Sequence, residues 1–255
     1  MILRLRNFIF LMVFSSVSAN AMVFDMTKEK FGSYLRGTVI PSWGESTEPF
    51  DQSSGSNMKY GDSFINLTSY EFGFLYNTSR LTWRVGFELI QPPALSGVTG
   101  FNNAGTVLYS MNSQVTADIP KLGLEFNLKT WKESRLWTYA EFGYAVVTVQ
   151  NSYTFTPAGT AQFATPNFRE VVGGYSSCYA ASVGFETLMT DSSTISFELG
   201  YRMLDFTALT QTNAVTNFQG AQASGAAATQ NNRTTPRDVN MSGGFVAVNL
   251  RLWVY

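Results

Sequence analysis

Residues 81–89 read Leu81-Thr82-Trp83-Arg84-Val85-Gly86-Phe87-Glu88-Leu89. Every odd position is large and apolar, and every even position is small or charged. That two-residue period is the signature of a strand with one apolar and one polar face. The same period recurs near 31–43, 63–77, 112–130, 135–155, 170–189, 194–210 and 240–255, with the central stretch itself covering 80–92. Eight strands are therefore predicted. In the last of them Val246, Val248, Leu250, Leu252 and Val254 share one face, and Asn249 and Arg251 the other.

The connections alternate in length. Residues 77–80, 131–135 and 190–193 read as tight turns, and 44–62, 93–111, 156–169 and 211–239 as long loops. Short-long alternation predicts an antiparallel up-and-down meander, with all tight turns and both termini at one end. The last loop is rich in Ala, Gln, Asn, Thr and Gly, the composition of a flexible polar segment.

Glycine decides which face points inward. Gly32 shares its face with Arg36, Gly73 with Glu71, Gly86 with Arg84 and Glu88, and Gly123 with Lys121, Glu125 and Lys129. Gly143 goes with Glu141, Gly184 with Glu186, Gly200 with Glu198 and Arg202, and Gly243 with Arg251. The opposite faces are bulky, as in Tyr70, Phe72, Phe74 and Tyr76. An eight-stranded barrel has an interior just wide enough for side chains. The Gly-bearing charged face therefore belongs inside and the bulky face outside. Such an outward belt aggregates in water and is required in a bilayer. The rival architecture is a soluble barrel that buries its apolar face around a ligand.

The predicted fold is thus all-β, a closed eight-stranded antiparallel transmembrane barrel over 31–255. Its lumen is expected to hold the acids Glu71, Glu88, Glu125, Glu141, Glu186 and Glu198 and the bases Arg36, Arg84, Lys121, Lys129, Arg202 and Arg251. Buried charges persist only when paired. Arg36, Glu71, Arg84, Glu125, Glu141, Glu186, Glu198 and Arg251 are expected to form a belt at one height. That belt either plugs the barrel or gates a narrow path for small solutes or ions.

Composition narrows the function. Of 255 residues only 14% are charged, 15% are aromatic, and the net charge is −1. There is no His and one Cys, Cys178. His-based triads, His-ligated metals and disulfide or CxxC chemistry are thereby excluded. A near-neutral chain without a basic patch is no nucleic-acid binder. No Walker loop or GxGxxG is present, so no cofactor is expected. Glu45, Glu48, Asp51 and Asp62 in the first long loop are oxygen ligands in type, but they read as a solvated loop, and no metal site is assigned.

Residues 1–21 carry Arg4 and Arg6, a short apolar run 8–14, and a small-residue end Ala19-Asn20-Ala21. These are the three parts of a secretory signal peptide, and the apolar run is too short to span a bilayer. Residues 22–30 read as a short periplasmic leader.

With signal peptide, alternating strands, short-turn/long-loop order and a terminal aromatic, Tyr255, the chain resembles the small eight-stranded outer-membrane proteins of Gram-negative bacteria. These are of the OmpA-transmembrane-domain, OmpX and OmpW type. The resemblance implies an outer-membrane location and contact with outer-membrane lipid and lipopolysaccharide. It also implies recognition by the barrel-assembly machinery through the strand ending at Tyr255, although Val254 rather than Tyr255 is in phase with the outward residues. Enzymes among the small barrels use His, so the resemblance implies no catalytic residues here. It leaves two functions: a largely plugged scaffold displaying loops 44–62 and 211–239 to an extracellular partner, or a narrow passive channel. Trp43, Tyr76, Trp83 and Tyr255 near strand ends are candidates for interfacial girdles.

Overall fold

Each alternating segment pairs with the next along the chain, and the last pairs with the first. A computed structural model describes residues 30–41, 59–60, 66–78, 80–102, 104–230 and 234–254. The segments expected as signal peptide and leader, up to residue 29, together with Trp43, Tyr255 and the acids of the first long loop, lie outside the described residues. The ring strands are β1 (Phe31–Pro41), β2 (Asn66–Asn77), β3 (Leu81–Ile90), β4 (Val107–Thr130), β5 (Ser134–Phe155), β6 (Phe168–Thr190), β7 (Ser193–Met203) and β8 (Gly243–Val254). Every neighbouring pair is antiparallel, and β8 closes on β1 with Phe31 opposite Val254 and Val39 opposite Val246. The fold is a closed eight-stranded up-and-down barrel, so the ring has no free edge. No described helix is long and apolar enough to cross a membrane.

Side chains alternate as the pleat demands. Phe74 is 70% exposed and Tyr70 67%, whereas Glu71 between them is 2% exposed. The inward glycines make room for rings on neighbouring strands. A Cβ at Gly184 would lie 2.1 Å from the Trp137 ring, and one at Gly123 would lie 2.2 Å from the Tyr139 hydroxyl. At Gly86 it would meet the Tyr34 hydroxyl at 2.2 Å. Crowding is thus relieved at specific ring-on-glycine contacts, each fixing a register.

Three expectations change. The segment 93–111 is not a plain loop. Leu95–Phe101 folds back as a strand on β4, and Lys59–Tyr60 pairs with it in turn. Strands β4, β5 and β6 run 24, 22 and 23 residues, about twice what a tilted bilayer crossing takes. Their upper halves stand clear of the ring as a sheet. Between β5 and β6 lies a short helix, α1 (Pro157–Phe163), whose Thr156 hydroxyl caps it by accepting from the Gly159 amide at 3.2 Å.

The segment 211–239 is not a flexible loop either, in its described part. Thr210–Gln211 pairs with β6, Val215–Asn217 forms a hairpin with Gly220–Gln222, and Val239–Asn240 pairs with Asp205–Phe206. A buried ion pair joins Arg237 to Glu170 of β6 at 2.9 Å, and Gln211 and Asn217 donate to the same carboxylate at 2.6 and 2.9 Å. Its polar composition reflects these contacts rather than solvation alone.

Gly184→Val should destabilise the barrel by about 1–3 kcal/mol, the usual cost of overpacking, because the branched side chain strikes the Trp137 ring. Denaturant unfolding of the refolded protein in micelles measures it.

Candidate functional site: the charged lumen

The interior below the apolar layer is filled by side chains from all eight strands. Arg36 of β1 bonds Glu71 at 2.8 Å and Glu198 at 2.9 Å, with Glu141 at 3.7 Å. Lys121 meets Glu141 at 2.7 Å, Glu71 at 3.6 Å and, more closely, Glu88. Arg202 takes the other oxygen of Glu88 at 3.0 Å. Arg84 bridges to a second group, bonding Glu125 and reaching Glu198 at 3.4 Å. In that group Arg251 spans Glu125 at 2.7 Å and Glu186 at 2.8 Å.

The sequence reading puts Arg135 where the 131–135 turn meets the 135–155 strand and leaves it out of the lumen, yet it is 1% exposed inside the barrel. It bonds Glu186 at 2.7 Å and Glu125 at 3.0 Å and donates to Thr82 at 2.8 Å. Lys129, expected in the lumen, is exposed instead. A register shift between Asn127 and Lys129 in the β4–β5 pairing inverts the pleat there. Its ammonium lies 5.1 Å from the ring centre of Trp131. One base is exchanged for another, so six carboxylates still meet six cations: Arg36, Arg84, Lys121, Arg135, Arg202 and Arg251. Parity was the available signal for Arg135, since it is in phase with Glu141 on the same strand.

The charges form a column rather than a belt at one height. Arg251 sits opposite Thr194 beside the 190–193 turn, whereas Glu198, expected at the same height, sits opposite Ala247 further up the same strand pair, and Arg202 lies higher still, opposite Gly243. Neutral groups complete the carboxylates. Tyr34 donates to Glu71, Ser69 to Glu88 and Thr194 to Glu186. Tyr139 donates to Glu141 at 2.8 Å and Ser182 to Glu198 at 2.7 Å. Guanidinium planes also rest on rings, with Arg84 4.2 Å from the Tyr139 centroid and 4.8 Å from that of Trp137.

Above the charges the lumen turns apolar. Ile40, Ile90, Val147 and Phe245 point inward from the ring, and Phe206, Leu209, Val239 and Met241 enter from the segment between β7 and β8. Cys178 belongs to this layer as a small buried thiol. Arg202 joins the two layers, donating to the Met241 carbonyl at 3.3 Å. Among the described residues no group of His, Cys, Asp and Glu is arranged to hold a metal.

No protein-family model matches this chain. No curated protein matches it either. Among solved structures the fold is similar to small outer-membrane β-barrels. OprG of Pseudomonas aeruginosa aligns over 91% of this chain and 99% of its own, at 12% identity and TM-score 0.47. A major outer membrane protein of Thermus thermophilus aligns over 89% and 100%, at 11% and 0.47. Ail, the attachment invasion locus protein of Yersinia pestis, aligns over 88% and 99%, at 11% and 0.41.

Removing one partner from a buried ion pair typically costs about 3–5 kcal/mol, because it strands the other charge. Arg135→Met should fall in that range, measured by urea unfolding in micelles. Lys129→Ala should stay within about 0.5 kcal/mol, as an exposed position does. A lysine inside the lumen would reverse that order.

Proposed function

We propose that the chain is an integral barrel of the bacterial outer membrane, sealed along its lumen, that holds a structured surface element outside the cell. The observation that carries this reading is the inversion of polarity. A closed barrel that buries six ion-paired carboxylates and exposes Phe72, Phe74, Trp83, Phe142 and Leu199 has the wrong outside for water. The belt also has the right height. On β5 the outward residues run Leu136, Thr138, Ala140, Phe142, Tyr144, Val146, with the large apolar ones bounding the stretch, and then change to Thr148 and Gln150. At the usual rise and tilt, Leu136 to Val146 climbs about 25 Å, and the apolar band of membrane barrels is about 25 Å tall.

Support for sealing comes from the stacking of an apolar layer on the charged one. An ion crossing Phe206, Leu209, Val239 and Met241 would be stripped of water without a replacement ligand. The charges below that layer then plug the barrel rather than gate it. No member of the column is assigned a catalytic role, since each carboxylate faces at least one cation. The Arg237–Glu170 pair fixes the 211–239 segment as a shaped surface, which suits recognition of an extracellular partner, together with loop 44–62. Outer-membrane lipid and lipopolysaccharide around the belt, and the barrel-assembly machinery at the strand ending in Tyr255, complete the partners of this reading.

Single-channel recording tests it. The refolded mature chain, its fold checked by a heat-dependent gel shift, should be silent in a planar bilayer. Discrete openings whose size changes with Glu141→Gln or Arg251→Gln would overturn the sealed lumen and establish the gated path.

A further inference from the structure

The outward face of β4 and β5 changes character where the apolar belt ends. Thr116 faces Thr148 and Gln114 faces Gln150; above them Asn112 faces Ser152 and Ser110 faces Thr154. Four successive outward pairs thus carry hydroxyls and carboxamides and no charge. Their inward neighbours, such as Val115 and Val149, are buried in the core, so packing dictates the inner face alone. Asn is depleted in strands. A merely solvated face is ordinarily served by mixed charges. Asn112 accepts from the Gly97 amide at 2.8 Å and Gln150 from Arg169, which gives those two a structural use; neither core packing nor solubility accounts for the other six.

Below Thr116 and Thr148 the next outward pair is Asp118 and Val146, and beside that pair the border is aromatic. Tyr144 and Tyr175, on adjacent strands, are stacked at 6.0 Å with an interplanar angle of 18°, and are 51% and 68% exposed. Beside the ladder Arg169 donates to the Gln150 carboxamide. The sheet rises straight out of the belt on three long strands, so the face looks sideways, along the membrane plane.

Resting on the membrane reading above, we infer that this face docks the sugar portion of the outer-leaflet glycolipid in the protein's own membrane. Saccharide hydroxyls each donate and accept, and Ser, Thr, Asn and Gln offer both functions in return. The flat apolar side of a sugar ring rests on a tyrosine pair such as Tyr144–Tyr175. Continuity fixes the source: acyl chains lie on the belt, and the sugars attached to them reach the ladder without leaving the membrane. A glycan from solution would have no such alignment with the belt.

The test uses the full mature chain in nanodiscs holding equal amounts of two lipopolysaccharides, one with its core sugars and one reduced to lipid A. Native mass spectrometry reads which stays bound. The core-bearing form should be enriched, and the Gln114→Ala/Gln150→Ala double variant, which touches only exposed or half-buried side chains, should lower that enrichment about tenfold. Equal retention of both glycolipids by the inserted wild type would overturn this inference and leave the barrel reading standing. Displacement by free core oligosaccharide at similar concentration would also overturn it, in favour of a soluble glycan. Failure to insert, seen as no gel shift and release without detergent, would overturn both readings.

Discussion

A carboxylate enclosed by a barrel keeps its charge only if a cation meets it there. The charged column of this protein holds six carboxylates, and every one has such a partner within 3.0 Å. Much of the remaining structure follows from that demand. Strands far apart in sequence must hold one register, because Glu125 of β4 shares Arg251 of β8 and Arg135 of β5. Tyr34, Tyr139, Ser69, Ser182 and Thr194 are inward because each satisfies a lone pair the cations leave open. A buried network of this kind adds little net stability over an apolar core of equal volume. What it enforces here is the closure geometry, since a one-residue slip turns every inward charge to the outside.

The glycines belong to the same account. Guanidinium groups stack on Trp137, Tyr139 and Trp253, and those rings are large for so narrow a barrel. They fit because Gly184, Gly123 and Gly32 offer no Cβ to the ring lying across them. Charge, ring and glycine form one repeating contact: the ring covers the glycine, and the cation covers the ring. The apolar layer above lacks this pattern and is closed instead by the segment 204–241 entering from the open end.

That layer changes the meaning of the charged column. Paired charges alone are compatible with a conducting path that opens by re-pairing. On the sealed reading proposed above, paired charges beneath Phe206, Leu209, Val239 and Met241 conduct only if the segment carrying those four leaves. The anchor that resists departure is Glu170, held at once by Arg237, Gln211 and Asn217. Outside the barrel, the long strands β4, β5 and β6 carry the second body of the molecule, tipped by the rings of Tyr109, Tyr153, Phe155 and Phe218.

The strand period, the turn order and the shared parity of glycine and charge were legible because each is local. A strand shows its two faces in any ten residues, and a closed barrel of eight leaves one physical assignment for them. So the barrel, its outward belt and all but one of the lumen charges follow from reading residues in pairs. What the tertiary structure alone decided depends on contacts between distant segments. The bulge between Asn127 and Lys129 exports one lysine and has no mark in composition. Arg135 enters the lumen because β5 begins at Ser134, inside the stretch 131–135 that reads as a turn. The apolar layer of the upper lumen and the folding of the described part of 211–239 rest on Glu170 finding Arg237 across 67 positions of chain. No local period encodes such a meeting, because the free energy that selects it comes from burial shared between segments that are neighbours only once the barrel has closed.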